Sequence, residues 1–195
     1  MMGKSRLIIL LFTLTFLKSF AQKDSIEVVS KFNDFYNWYF NSLIDWKNSD
    51  YKPKFDKDSN GMATLIFDKY VANLTKYHFS DSLIKKEINS YKTCLDNLQK
   101  MTFEEFNQLD DIDDLENIDC NFSNYFRWVG DNLEYPKNVM IIDIVQFDNI
   151  TIKVHGSFFD FLDNGNEKYF WGYGPIMTFK LINDKWKINN IEFLK

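Results

Sequence analysis

The chain has 195 residues and a formal net charge of −5, and 18% of its residues are aromatic. Its acidic balance, with no basic stripe, argues against binding nucleic acid or an anionic membrane surface, because both require clustered Lys and Arg. Only two His and two Cys occur, and neither zinc-binding spacings nor a GxSxG-type nucleophile motif is found. We therefore expect no cofactor.

The N-terminus has the pattern of a signal peptide. Lys4 and Arg6 precede an apolar run over residues 7–17, and small residues at Ser19 and Ala21 resemble a signal-peptidase site. The run is shorter than the roughly 20 residues that a membrane-spanning helix needs. We predict cleavage after Ala21 and an exported protein, periplasmic or secreted, without stable membrane insertion afterwards. A retained anchor is the alternative.

The remainder, residues 22–195, is predicted to form one domain. Loss of Lys4, Arg6 and Lys18 leaves 20 basic against 28 acidic residues, so the net charge becomes −8. A chain of this size buries roughly 70% of the surface that it exposes when unfolded, which is enough for one ordinary core.

A first helix is predicted over residues 25–45. Asp24 and Glu27 have the spacing of an N-cap residue and its partner in a capping box. Apolar residues recur at helical intervals along one face; they are Ile26, Val29, Phe32, Tyr36, Tyr39, Phe40 and Leu43.

The next segment resembles the opening of a calcium loop. Asp56, Asp58 and Asn60 precede Gly61, as in an EF-hand. The position that should carry the bidentate Glu is Phe67, however, so any calcium affinity is expected to be weak. We interpret the segment as a polar turn between two helices, with a weak calcium site at Asp56, Asp58 and Asn60 as the alternative.

Three further helices are predicted. The first covers about residues 64–76, and Ser80 or Asp81 caps the next one. Thr102 and Glu105 form a second capping box, which begins a short helix that ends near residue 109. The middle helix has an inward stripe at Ile84, Ile88, Tyr91, Leu95 and Leu98.

Cys94 and Cys120 are the two cysteines of the chain, and Cys94 borders that inward stripe. Export to an oxidising compartment permits a disulfide between them, which would contribute about 3–4 kcal/mol on loop-entropy grounds. Two buried free thiols are the alternative.

Residues 110–119 carry six carboxylates in ten positions. Such a run is typical of a solvated surface, because the charges repel one another. If it binds a partner, that partner should be basic, and binding should weaken with salt.

After residue 136 the period changes from helical to alternating. Residues 139–146, 150–159, 176–182 and 186–193 are short, rich in β-branched and aromatic residues, and separated by Asn, Asp and Gly. They predict an antiparallel meander. Helices followed by strands indicate an α+β fold in which the N-terminal helices pack on one face of a curved antiparallel C-terminal sheet.

This order of elements resembles the nuclear transport factor 2-like superfamily. The resemblance rests on FYNWYF at residues 35–40 and on INDKWKINNIEF at residues 182–193. More narrowly, the chain is similar to a bacterial envelope family within that superfamily. The resemblance implies a cone-shaped fold with a pocket, and members range from isomerases and dehydratases to immunity proteins and binding modules. The fold therefore does not select a function.

Two sets of residues are candidates for binding a ligand. An acid–base enzyme of this superfamily would place Asp or His in the pocket, which gives Tyr39, Asp143 and His155 as candidates. Alternation along the strand predicts that His155 faces water. The aromatic, glycine-containing segment at residues 169–175 is the second candidate, a rim where Tyr169, Trp171 and Tyr173 could bind a ligand.

We therefore expect an exported, non-catalytic binding or interaction module that recognises a small ligand or a protein partner. A pocket acid–base enzyme is one alternative, and it requires Asp143 or His155 to point into a closed apolar cavity. A weak calcium-binding module is the other. No catalytic residue is assigned, because no catalytic motif of the family matches these positions.

Overall fold

The computed structural model describes residues 3–45, 50–109, 112–120, 126–130, 135–162, 165 and 167–194, with the backbone alone for 3–22 and 112. The fold is α+β, as predicted: helices lie N-terminal to a five-stranded antiparallel sheet. Among the helices of the described part, none is long and apolar enough to cross a membrane.

The first helix, α1, runs over Gly3–Ile44. Its buried face consists of Val28, Phe32, Phe35, Tyr36, Tyr39, Phe40 and Leu43. Two details of the prediction were wrong. Ile26 is 64% exposed, and Asp24 lies inside the helix, where it accepts a hydrogen bond from Trp186 Nε1 at 3.2 Å. The predicted leader falls on residues whose side chains lie outside the described part.

The calcium-like segment is a turn, but it joins two strands rather than two helices. Strands β1 (Lys54–Lys57) and β2 (Ala63–Ile66) form an antiparallel hairpin. The prediction of helix from residue 64 was therefore wrong, and α2 covers only Asp68–Lys76. Pairing with β1 and a hydrogen bond from Ala63 N to Met101 O (3.1 Å) hold residues 63–66 extended.

The helices after α2 are short. Helix α3 is Asp81–Ser90, and Ser80 caps it by accepting a hydrogen bond from Leu83 N at 3.2 Å. The predicted single helix breaks at Tyr91, and α4 follows at Lys92–Leu98. Thr102 and Glu105 form the predicted capping box at the start of α5, Phe103–Phe106. Helix α6, Ile112–Asn117, lies in the acidic run, whose first two residues fall outside the described part.

A disulfide joins Cys94 of α4 to Cys120, three residues beyond the end of α6. The two Cα atoms are 4.9 Å apart, and both side chains are buried in the core. This crosslink fixes the end of the acidic segment against the helical layer.

The sheet has the strand order β3–β4–β6–β7, and the short strand β5 also pairs with β4. Its strands are β3 (Asn138–Asp148), β4 (Thr151–Phe161), β5 (Lys168–Phe170), β6 (Gly174–Ile182) and β7 (Lys185–Leu194). The four predicted strands are thus present, and β5 is an addition. Asn183 and Asp184 both have positive φ, which suits the two-residue turn between β6 and β7.

One face of the sheet, called here the inner face, packs against α1. Along β4 the residues Ile152, Val154 and Phe158 are fully buried on this face. The glycine at position 156 leaves room for a side chain of α1, because a Cβ atom there would come within 2.8 Å of Phe32 Cζ. The opposite, outer face carries the alternate residues of β4, which are less buried.

Candidate functional site

A buried carboxylate lies at the centre of a polar cluster in the described core. Glu87 of α3 is only 1% exposed. Its Oε1 accepts hydrogen bonds from Tyr70 Oη at 2.9 Å and from Tyr91 Oη at 2.8 Å, and its Oε2 accepts one from Arg127 Nε at 2.8 Å. Such a charge is tolerated in a core because both oxygens are satisfied and a cation is paired with it.

The electrostatics of this cluster hold the tyrosines neutral. Burial, and then the negative charge of Glu87, raise the pKa of Tyr70 and the pKa of Tyr91 well above the ordinary value. Burial alone would lower the pKa of Arg127, but the charge and hydrogen bond of Glu87 outweigh it, so the Arg127 pKa is raised. The cluster is therefore a fixed arrangement of donors around one carboxylate, without a group ready to give up a proton near neutral pH.

Three elements meet beside this cluster and form a cleft. Ser80 N donates to Ile188 O and Ile188 N donates to His78 O, both at 2.8 Å, which fixes the start of α3 against β7. The segment 126–130 is held against α1 by the hydrogen bond from Trp128 N to Tyr39 Oη at 3.3 Å. The cleft that results is lined by Leu83, Lys86, Glu87, Arg127, Trp128 and Ile191, among others.

The cleft is small. It encloses about 60 Å³, whereas pockets for drug-sized ligands measure roughly 300–1,000 Å³. The space between α1 and the inner face is filled instead by aromatic side chains, such as Tyr36 against Phe158 with ring centroids 5.7 Å apart. The cleft can therefore admit a small chemical group, but not a whole cofactor.

Tyr39 is a core residue rather than a ligand contact. It is 1% exposed, and its hydroxyl accepts the hydrogen bond from Trp128 N. Tyr39 thus connects α1 to the segment that carries Arg127, which gives it an indirect, positioning role at the cleft.

The acid–base pair predicted from the strands lies away from the core. Asp143 and His155 are direct partners in the register between β3 and β4. His155 alternates with the buried Val154, so both residues are on the outer face of the sheet. Asp143 is exposed, and its Oδ1 accepts a hydrogen bond from Ile144 N at 2.8 Å. Neither residue points into a closed apolar cavity, so the observation that the acid–base hypothesis required is not met.

The carboxylates of the calcium-like segment are engaged in the hairpin turn. Asp58 Oδ1 accepts hydrogen bonds from Asn60 N at 2.8 Å and Met62 N at 2.9 Å, and Asp56 Oδ1 accepts one from Lys57 N at 2.7 Å. In the described ranges, no three His, Cys, Asp or Glu side chains are close enough together to hold a metal ion. The weak calcium site therefore has a competing structural use for its ligands.

The predicted aromatic rim, residues 169–175, begins within β5 and extends to the start of β6 at one end of the sheet. Trp171 Nε1 donates to Asp160 Oδ2 at 3.1 Å, and Trp171 and Tyr173 are half-buried. Tyr169, in contrast, is 56% exposed, and three neighbours share this exposure: Phe161 (51%), Leu162 (45%) and Phe170 (48%). We call these four residues, Phe161, Leu162, Tyr169 and Phe170, the edge patch.

The sequence-based reasoning did not select Glu87 or Arg127. A signal was present for Glu87, because it lies three residues after Ile84 and four before Tyr91, within the inward stripe of the helix. A charged residue at such a position requires a buried partner. The partner, Arg127, lies 40 residues away in a segment without a clear period, so local sequence could not identify it.

No protein-family model matches the chain, and no curated protein or solved structure matches it either.

Proposed function

We propose that this chain is an exported, non-catalytic interaction module that binds an extended segment of a partner protein at the edge patch. The observation that carries the proposal is the exposure of four large apolar side chains, each about half accessible, on adjoining backbone at one end of the sheet. Clustered exposed apolar groups mark interaction sites in soluble proteins.

The backbone of β5 favours an extended occupant. Leu162 N donates to Glu167 O and Trp171 N donates to Phe158 O, which places residues 167, 169 and 171 in hydrogen-bonded register with β4. By alternation, the backbone groups of Lys168 and Phe170 point away from β4. No residue in the described part pairs with that side of β5. An added strand would satisfy these groups and cover the aromatic side chains on both faces.

The same features favour binding over catalysis. Asp143 and His155 are on the outer face of the sheet. In the Glu87 cluster, the raised pKa of Tyr91 keeps that hydroxyl protonated. The net charge of −8 expected after loss of residues 1–21 favours a partner of basic character. Export after cleavage at Ala21 remains part of the proposal and rests on the sequence pattern of residues 4–21.

We also propose that the chain is a member of the nuclear transport factor 2-like superfamily with a cone-shaped sheet. The order of elements supports this, since helices precede a meander whose inner face covers α1. Irregularities of the kind that bend strands occur in β3, at Ile141/Asp143 and Gln146/Asp148, and in β7, where Asn189 is an extra residue opposite Thr178/Phe179.

The test compares two pairs of exposed apolar residues. The chain carrying Tyr169→Ser and Phe170→Ser is compared with a matched control carrying Phe147→Ser and Ile150→Ser, which are similarly exposed elsewhere on the sheet. Proteins of the native envelope are captured on wild-type chain after cross-linking and identified, and binding is then measured with the purified partner. We expect the edge-patch variant to lose at least tenfold in affinity and the control to retain it.

A second variant tests the mode of binding. Phe170→Pro removes the outward N–H while leaving the register at residue 169, and Phe170→Leu keeps both the N–H and an apolar side chain. Weaker binding by Phe170→Pro than by Phe170→Leu supports strand addition. Equal binding by the edge-patch and control variants, at unchanged thermal stability, would falsify the proposal.

A further inference from the structure

The cleft beside Glu87 contains a guanidinium that is held in one orientation. Arg127 Nε donates to Glu87 Oε2, and Glu87 is itself fixed by the hydroxyls of Tyr70 and Tyr91. The Arg127 side chain is nevertheless 40% exposed. No described residue accepts a hydrogen bond from its Nη groups, so up to four N–H donors of a pre-oriented fork remain available.

Two further residues, Lys86 and Trp128, line the same cleft. Lys86 adjoins Glu87 on α3, is exposed, and forms no ion pair within the described part of the chain. Trp128 is 4% exposed, and its Nε1–H is buried without an acceptor among the described residues. Its ring lies under the guanidinium, with Arg127 Cζ 5.5 Å from the ring centroid, so the indole is a reporter of what binds Arg127. Two cations in one cleft, with one carboxylate already paired to Arg127, leave room for a further acceptor.

The charge and the size of the cleft define what that acceptor is. Lys86 and Arg127 against Glu87 give a formal charge of +1, which one monoanion neutralises, whereas a dianionic phosphate would leave a charge of −1 in the cleft. A space of about 60 Å³ holds a carboxylate and a short stem, but no nucleotide. Leu83 and Ile191 supply an apolar wall for the stem.

We propose that this cleft is a binding site for the carboxylate of a short apolar acid, in which Arg127 and Lys86 contact the carboxylate oxygens and Leu83 and Ile191 contact the stem. A planar guanidinium matches a carboxylate in a two-bond geometry. The carboxylate can belong to a free short-chain acid or to the C-terminal residue of a peptide. The cleft shares no residue with the edge patch, so this site does not depend on the proposed function.

The experiment is a titration followed by ¹H–¹⁵N NMR on the intact chain at constant ionic strength. The probes are butyrate and its neutral isostere butyramide, inorganic phosphate, and an acetylated Gly-Gly-Leu peptide with either a free or an amidated C-terminus. We expect a saturable shift of the Trp128 indole N–H, identified by its absence in Trp128→Phe, with butyrate or the free-acid peptide. The ligand of these two that binds at least about tenfold more tightly identifies the source of the carboxylate.

The variants separate the cleft from general charge effects. Lys86→Gln should weaken carboxylate binding about three- to fivefold, as expected for a partly exposed ion pair, and the matched Lys85→Gln should leave it unchanged. Arg127→Lys, which keeps the charge but loses the fork, should weaken it about tenfold. If Arg127→Lys does not fold, the comparison of Lys86→Gln with Lys85→Gln still tests whether the carboxylate binds in the cleft.

Three outcomes would overturn the site. These are a lack of any saturable shift, equal shifts with butyrate and butyramide, or equal effects of Lys86→Gln and Lys85→Gln. Tighter binding of phosphate than of either carboxylate would also contradict it, because the formal charge of +1 favours a monoanion.

Discussion

The inner face of the sheet and its end around β5 use the same residue types in opposite ways. Against α1, Phe158 is fully buried among Tyr36, Phe40 and other rings. Only a few residues further along β4, Phe161 is half exposed beside Phe170 and Tyr169 of β5. Aromatic residues therefore occur in two different environments along the same strand, and their position relative to α1 distinguishes the two.

The cause of this difference is where the covering helix lies. Phe32 and Tyr36 reach β4 at Gly156 and Phe158, and there the removal of apolar surface from water stabilises the fold. Aromatic residues on the inner face should therefore contribute to stability, and those of the edge patch to binding.

The largest expected effect tests that separation directly. Phe158→Ala should lower the free energy of unfolding by about 3–5 kcal/mol, because it leaves a cavity in a packed core. Phe170→Ala should change it by no more than about 0.5 kcal/mol, because the ring is already half in water. Denaturant unfolding curves measure both values, and similar losses for the two variants would show that the edge patch is part of the core.

Loss of the disulfide should lower the free energy of unfolding nearly as much as loss of a buried aromatic ring. Replacing Cys94 and Cys120 together by Ser removes a crosslink spanning 26 residues and should cost about 3–4 kcal/mol, since the unfolded chain gains conformational freedom. Unfolding of the variant is compared with that of the wild type with and without reductant. A variant as stable as the oxidised wild type would contradict this prediction.

The next largest effect is expected at the ion pair between Glu87 and Arg127, which is a polar contact within a largely apolar core. Glu87→Gln should cost about 2–3 kcal/mol, because an amide keeps one acceptor oxygen and turns a donor towards groups that also donate. Glu116→Gln, at an exposed position of α6, is the control and should show no measurable change. Chemical denaturation of both variants checks the difference, and equal stabilities would mean that the cluster is less important than its burial indicates.

The smallest effect concerns pH. Burial, and then the charges of Lys31 and Lys187, lower the pKa of His78 below its ordinary value, despite the opposing charges of Asp34 and Glu27. The unfolded chain therefore binds the proton more readily, and the contribution of His78 to stability falls as pH drops below about 6.5. Above that pH this contribution is constant.

His78→Asn should remove this dependence while tolerating the positive φ of 69° at that position. The measurement is the difference in melting temperature between variant and wild type at several pH values on both sides of 6.5. Below pH about 6.5 the melting temperature of the wild type should fall relative to that of the variant. A difference in melting temperature that does not change with pH would contradict the assignment.

Much of the secondary structure follows from the sequence alone. Ser80 and the Thr102–Glu105 capping box mark helix starts, because each satisfies backbone donors within three residues of itself. The four long strands follow from alternation and from turn residues such as Asn183 and Asp184. These signals depend on neighbours in sequence, so no tertiary information is needed to interpret them.

Residues 63–66 show where that reasoning fails. Leu65, Phe67 and Tyr70 have spacings that suit a helix, yet residues 63–66 form β2. The extended form is stabilised by β1 and by Met101, whose carbonyl accepts from Ala63 N. A contact with a residue 38 positions away is invisible to a local pattern.

The sequence by itself determined the α+β order, the helix caps at Ser80 and Thr102, the four long strands and the acidic charge, because each follows from the chemistry of adjacent residues. Tertiary structure alone decided that Glu87 faces Arg127, that Asp143 and His155 lie outside the core, and that Tyr169 is exposed while Tyr39 is buried. The physical reason is the same in each case. Burial and pairing depend on contacts between segments that are far apart in sequence, and those contacts form only when the helices pack against the sheet.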